Sequence, residues 1–181
     1  MVCFLLGSGF EEAEALVPVD LLRRANIPVC MAGVDGSVIP GAHGIAVTAD
    51  CSLSDVKREE LELVVLPGGL GGVAAIRNSA EAMDLIGWAH AHGVRLAAIC
   101  AAPTILSDLG YLDGKKAVCY PSMLNQLTTA DATHGQSVVE DGSIITAEAA
   151  GSAFEFGFKL IEALRGVEAA EKVSRAIYFN R

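Results

Sequence analysis

Short, continuous apolar runs recur along the chain at residues 2–6, 29–34, 63–66, 96–99, 117–119 and 144–146. Most of them do not alternate with polar residues, which predicts strands buried on both faces. Helical spacing fills the gaps. Ala82, Leu85, Ile86 and Ala89 follow i, i+3, i+4, i+7, with Ser79 placed to cap the helix and Gly93 to stop it. Phe154, Gly157, Phe158 and Ile161 repeat that spacing, and Gly157 would let the helix pack closely. Val173, Ala176 and Ile177 predict a last helix. Residues 11–25 also read as helix, which Pro18 should bend or start afresh. Asp35-Gly36 and Asp141-Gly142 read as hairpin turns. The chain shows no internal repeat, low-complexity tract or linker. This alternation predicts an α/β protein, a three-layer α/β/α sandwich around a mostly parallel sheet, as one domain over residues 1–181.

Composition narrows the function classes. Hydrophobic residues make up 52% of the 181 positions and charged residues 19%, which excludes disorder and supplies one sizeable core. The formal net charge of −9 repels phosphate backbones, so nucleic acid is not an expected partner. The apolar runs fall far short of the roughly 20 residues a membrane span needs. The first run has no basic flank and leads into Glu11, Glu12 and Glu14, so it reads as a strand rather than a signal peptide. A cytoplasmic protein without a membrane partner is expected. Cys3, Cys30, Cys51, Cys100 and Cys119 are odd in number and contain no C-x-x-C. That pattern is neither a disulfide framework nor a zinc site, and no metal is expected.

In open α/β sheets, ligands bind beyond the carboxyl ends of the strands. The segments there would be 7–14, 67–72, 100–103 and 147–151. Cys100 stands out, because it ends a strand, opens a helix and has the small neighbours Ala98, Ala101 and Ala102. This is the pattern of a nucleophile elbow. A helix N-terminus would also lower its thiol pKa below the free value of about 8.5. The alternative is a buried cysteine among alanines. The other four cysteines read as packing or surface residues. Glu11 and Glu12 read as a solvated acidic first turn. Periodicity leaves open which glutamate faces the sheet, because Glu11 shares a stripe with Ala15 and Leu22, and Glu14 shares one with Leu21 and Ala25. A glutamate pointing at Cys100 would be protonated and donate to the thiolate.

Gly69-Leu70-Gly71-Gly72-Val73-Ala74 fits the dinucleotide pattern G-x-G-x-x-A, but no acidic residue ends the next strand to hold a ribose. Gly68 and Gly69 are better read as backbone that approaches closely and offers N–H groups to an oxyanion. His90 and His92 fall at a helix end and His43 beside glycines, while His134 lies in a polar loop. None adjoins Cys100.

Several stretches together resemble the ThiJ/PfpI superfamily, in its DJ-one-like branch. They are Gly9-Phe10-Glu11-Glu12-Ala13-Glu14, Pro18-Val19-Asp20, Leu22-Arg23-Arg24-Ala25, Val64-Val65-Leu66-Pro67-Gly68-Gly69, Ala98-Ile99-Cys100-Ala101-Ala102-Pro103 and Ser152-Ala153-Phe154-Glu155-Phe156. The resemblance implies a flavodoxin-like fold and a homodimer. It makes Cys100 the elbow nucleophile, Glu14 its protonated partner, and Gly69 and Ala101 the sources of oxyanion N–H groups. It also implies cofactor-free chemistry on a small aldehyde, methylglyoxal to lactate, or on glycated amines. Oxidation sensing or chaperone-like behaviour through a Cys100 sulfinic acid is the alternative.

The chain departs from its relatives at Ala102, commonly Gly, and at Ala149-Ala150-Gly151, commonly Gly-Pro-Gly. Glu148 stands where a basic residue is frequent and His43 where an arginine is. A rim histidine of some relatives aligns near Ala130, with His134 nearby. These positions make His43, Glu148 and His134 candidate substrate-rim residues. Ala101 stands where the protease-like branch has histidine, which argues against peptidase chemistry. An amidotransferase-like hydrolase would need His134 with Glu140 or Asp141.

Overall fold

The computed structural model describes residues 1–179. Seven strands form the main sheet: β1 (Val2–Leu6), β2 (Val29–Gly33), β5 (Cys51–Ser52), β6 (Leu63–Leu66), β7 (Arg95–Ile99), β10 (Val138–Asp141) and β11 (Ile144–Ala147). Their spatial order is β10-β11-β7-β6-β1-β2-β5, and every pairing is parallel except β10 with β11. β1, β6 and β11 are buried at every residue, as continuous apolar runs require of strands covered on both faces. Alternate residues of β1 serve two cores. Cys3 and Leu5 pack with α2 (Leu70–Asn78), α3 (Ala80–Ala91) and α4 (Pro103–Asp108). Val2, Phe4 and Leu6 pack with α1 (Glu12–Arg24), α5 (Ala153–Arg165) and α6 (Val167–Ala176). The result is the α/β/α sandwich anticipated from the pattern. No helix among the described residues is long and apolar enough to cross a membrane.

Several local signals act as read. Ser79 caps α3, its Oγ accepting the Ala82 N–H at 3.1 Å. Asp141-Gly142 turns the β10–β11 hairpin, with Gly142 at φ +63°. Gly157 brings α5 against α1. A Cβ at this position would lie 2.6 Å from Leu21 Cδ1 and 3.2 Å from Pro18 Cα. Gly157→Ala is therefore expected to destabilise the fold by about 1–3 kcal/mol through overpacking, despite alanine's better helix propensity. Urea denaturation checks this, and an unchanged or raised midpoint would contradict it.

Three expectations are corrected. α1 runs unbroken through Pro18, so the helix does not start afresh there. The Asp35-Gly36 pair makes no hairpin. β2 does not pair with the following strand, and the Asp35 carboxylate instead accepts the Ser8 N–H at 3.1 and 3.2 Å. The hairpin here joins β3 (Val38–Pro40) to β4 (Ala46–Thr48) through residues 41–45. Residues 117–119 do not enter the main sheet. β8 (Lys116–Ala117) pairs instead with β9 (Asp131–Ala132) in a separate small sheet. Beyond it, the Val118 N–H turns to the Thr146 hydroxyl at 3.0 Å.

Candidate active site

Because β1, β6, β7 and β11 run parallel, their carboxyl ends open on one rim. Backbone bonds stitch the rim together. The Glu11 N–H donates to Gly68 O at 3.0 Å, and the Cys100 N–H donates to Ala147 O at 3.0 Å. Cys100 follows β7 directly and holds φ +64°, a left-handed conformation rare for a residue with a side chain. Such a conformation costs on the order of 1–3 kcal/mol and persists only where the surroundings fix it. Here the residue is clamped on both sides, since its carbonyl also accepts the Tyr120 N–H at 2.8 Å. The buried Ala101 and Ala102 leave room for this turn, and Pro103 opens α4.

Glu14 lies beneath the elbow and is 1% exposed. Its carboxyl hydrogen-bonds to Cys100 and accepts the Gly68 N–H at 2.9 Å. The first turn of α1 thus selects Glu14 among the three glutamates. The Gly69 and Ala101 N–H groups both reach the Cys100 sulfur. Gly69 sits at φ +84° as the cap of α2, a conformation glycine adopts without strain. Gly71 and Gly72 serve close packing. A Cβ on Gly72 would lie 2.8 Å from Phe10 Cα, so the glycine run lets the loops after β1 and β6 touch backbone to backbone.

The thiol is pushed up, not down. Burial first, then the Glu14 charge and its hydrogen bond, raise Cys100 to about 12, while the Ala101 and Gly69 N–H groups pull it lower. Burial likewise raises Glu14 to about 7, against its bonds from Cys100 and Gly68. The expected lowering from a helix N-terminus is overridden for two reasons. α4 has only 6 residues, and the half-buried sulfur faces a carboxyl rather than water. Two such acids in contact titrate as a coupled pair, and burial raises both. When Glu14 is protonated, its carboxyl no longer opposes the thiolate, which keeps two N–H donors.

A cavity of about 760 Å³ opens above Cys100. Gly69 and Ala101 form its floor, and Glu11, Leu70, Tyr120, Met123 and Gln126 form much of its wall. Among the described residues, the wall carries the Glu11 carboxylate and no lysine, arginine or histidine. Tyr120, Ser122, Met123 and Gln126 were not marked by the sequence pattern. The bond from the Tyr120 N–H to the Cys100 carbonyl brings this segment to the elbow. Another hollow of about 540 Å³ lies by α5 and α6 and holds no cysteine or histidine.

The three candidate rim residues do not line the cavity. His43 lies in the β3–β4 turn, its side chain 69% exposed, with Nδ1 3.0 Å from Glu12 and 3.3 Å from Glu11. Glu148 follows β11 at the rim, where its N–H donates to Ser137 O, but its side chain is not part of the wall. His134 is exposed in the loop after β9. Its proposed acids are engaged elsewhere, Glu140 with Arg95 and Asp141 with the Lys116 N–H. A Cys–His pair is therefore not assembled at the cavity.

Glu12 is a further correction, being 5% exposed rather than solvated. Its carboxylate accepts the His43 N–H at 2.8 Å and the Ile45 N–H at 3.3 Å. Burial opposes its ionisation, but bonds from the His43 ring and these N–H groups outweigh it and hold the carboxyl at about 2. A depressed carboxyl stabilises the fold above its unfolded value, near 4.5, and that contribution fades as pH falls toward 2. Glu12→Gln should therefore melt with a flatter acid limb than wild type across this window. Parallel limbs would contradict it. Glu11, Glu12 and His43 bring three possible metal-ligand atoms within 4.8 Å, where the His43 ring hydrogen-bonds to Glu12 and lies 3.3 Å from Glu11.

A model of the DJ-1/PfpI family matches residues 1–163. The Protein dj-1beta of Drosophila melanogaster is 38% identical over 175 residues, covering 96% of this chain and 94% of that protein. Its crystal structure superposes with a TM-score of 0.94 at 37% identity, covering 99% of this chain and 98% of that one. The Glutathione-independent glyoxalase DJR-1.2 of Caenorhabditis elegans is 30% identical over 159 residues, covering 87% of this chain and 84% of that protein. These similarities run from the first strand through the helix that closes the sheet, with the strained cysteine inside them, and the chain belongs to the DJ-1/PfpI family.

Proposed function

We propose that the chain converts small neutral 2-oxoaldehydes to 2-hydroxy acids, methylglyoxal to lactate, with Cys100 as nucleophile and Glu14 as acid and base. One observation carries this reading. A buried carboxyl raised to about 7 is hydrogen-bonded to a half-buried thiol under an open cavity, so a group that can give and take a proton near neutral pH sits beside the nucleophile. The Cys100 thiolate adds to the aldehyde carbon, and Glu14 protonates the resulting oxygen to give a hemithioacetal. The Glu14 carboxylate then removes the hydrogen from that carbon and returns a proton to the adjacent one. This converts the hemithioacetal to a thioester of the hydroxy acid. Water hydrolyses the thioester, releasing the acid and the free thiol. The Gly69 and Ala101 N–H groups, already aimed at the sulfur, are suited to the oxyanions of the first and last steps. The similarity to a protein named as a glyoxalase supports the reaction class.

With Glu11 in the wall and no cation lining it among the described residues, the cavity favours neutral over anionic carbonyls. Methylglyoxal should turn over at least tenfold better than glyoxylate by kcat/KM, about 1.4 kcal/mol of discrimination. Cys100→Ser should lower methylglyoxal turnover by at least about 10³-fold, and a wild-type rate no faster than free thiol would overturn the reading. The same carboxyl and N–H groups could hold a sulfinic acid on Cys100, which supports a second reading as an oxidation sensor. Selective gain of two oxygens at Cys100 under mild peroxide, without carbonyl turnover, would favour it.

A further inference from the structure

Three of the four remaining cysteines lie side by side on one face of the sheet, away from Cys100. Cys3 on β1 stands in register with Cys30 on β2, and Ala32 on β2 stands in register with Cys51 on β5. Side chains alternate along a strand, so Cys30 shares the face of Ala32. That face belongs to the core containing Cys3 and Leu53, against which Cys51 packs. The Cys30 thiol hydrogen-bonds to the Cys51 thiol, whereas Cys3 lies fully buried behind them. Cys30 and Cys51 are each half-buried, and β5 is the edge strand, so the pair meets solvent. In the sheet, β2 is three places from β7, and Cys30 lies near the amino end of its strand while Cys100 follows the carboxyl end of its own.

We infer that Cys30 and Cys51 form a two-thiolate site for a soft, thiophilic cation of low coordination number, of which Cu(I) is the type. Thiolate sulfur selects such ions, while zinc takes four donors and two thiols leave it incomplete. Asp50 does not complete a zinc set, because its carboxylate already holds Arg23 at 2.7 Å and the Met31 N–H at 2.9 Å. Binding forms two S–Cu bonds and releases two thiol protons to solvent, with no change of oxidation state. The resulting centre carries one negative charge, and the Arg23–Asp50 ion pair beside Cys30 leaves the site without a free cation of its own among the described residues, so the S–Cu bonds carry the binding. The site is independent of the carbonyl chemistry proposed for Cys100.

The test uses the full, reduced chain carrying Cys100→Ser, so that the elbow sulfur does not contribute. Cu(I) is titrated in anaerobic buffer against bicinchoninate as competing chelator. One Cu(I) per chain is expected to be withheld from the chelator. Adding Cys30→Ser or Cys51→Ser should weaken that binding by at least tenfold, with circular dichroism confirming the fold. Cys119→Ser should leave it unchanged. Where a serine variant fails to fold, unmutated chain loaded with Cu(I) is denatured in N-ethylmaleimide, and the protected cysteines are read by mass. Joint protection of Cys30 and Cys51 supports the site. Absence of withheld Cu(I), unaltered affinity in both serine variants, or protection confined to other cysteines would overturn it.

Discussion

Glu14→Gln is expected to lower methylglyoxal turnover by about 10²–10⁴-fold, the usual contribution of a positioned acid and base, while leaving Cys100 reactive. Glutamine keeps the shape of the side chain and can still accept the Gly68 N–H that Glu14 accepts at 2.9 Å. Its amide can also donate to the sulfur, and the Gly69 and Ala101 N–H groups are untouched. What it cannot do is give a proton to one carbon's oxygen and collect another from carbon. Alkylation of Cys100 by iodoacetamide near neutral pH should therefore stay within about tenfold of wild type. The loss should fall in kcat rather than KM, because proton transfer is an interaction made in the transition state and not in ground-state binding. If alkylation and turnover fall together by the same factor, Glu14 acts by ionising the thiol, and the proton-shuttle step is wrong. The pH profile offers a second reading of the same point. A carboxyl at about 7 places the wild-type activity change near neutrality, and Gln at this position should remove that limb from whatever residual rate remains.

The sheet was legible because its signals are local. Continuous apolar runs mark doubly covered strands, Ser79 precedes a periodic helix, and Asp141-Gly142 joins two runs that pair with each other. Asp35-Gly36 carries the same turn signal and misleads, because pairing depends on which strand lies alongside. Here the Asp35 carboxylate serves the loop after β1 instead. Cys100 was visible from its small neighbours and its place between strand and helix. Glu14 was not separable from Glu11 by periodicity, since one helical turn presents both toward the rim, and only the resemblance chose between them. Glu12 looked solvated because the loop that buries it, residues 41–45, lies about 30 residues further along the chain. The direction of the Cys100 shift was also illegible. A helix N-terminus can be read from sequence, but the desolvation and the facing carboxyl that outweigh it are products of the fold.

Gly68→Ala is expected to disable the site without changing any charge. Gly68 takes part in two contacts at once. Its N–H holds the Glu14 carboxyl at 2.9 Å, and its Cα hydrogens face the elbow. A methyl group there would press on the Glu14 carboxyl oxygen, sit 2.6 Å from Cys100 Cβ and 3.0 Å from Ile99 O. The last two belong to the clamped elbow and its strand, and the first is held by the Gly68 N–H. Cys100 is clamped through both of its peptide groups, and Glu14 is fixed in a fully packed helix face, so the strain cannot relax cheaply. Overpacking of this kind costs about 1–3 kcal/mol of stability. The effect on turnover should be larger than that cost alone implies, at least about 10²-fold, since misplacing reacting groups by about 1 Å carries such a penalty. Gly151→Ala is the matched control. It lies on the same rim, but a Cβ there meets nothing within 4 Å, so both stability and rate should stay near wild type. Turnover by Gly68→Ala at the wild-type rate, in protein shown to be folded, would mean that the contact between Glu14 and Cys100 is not the one the chemistry uses.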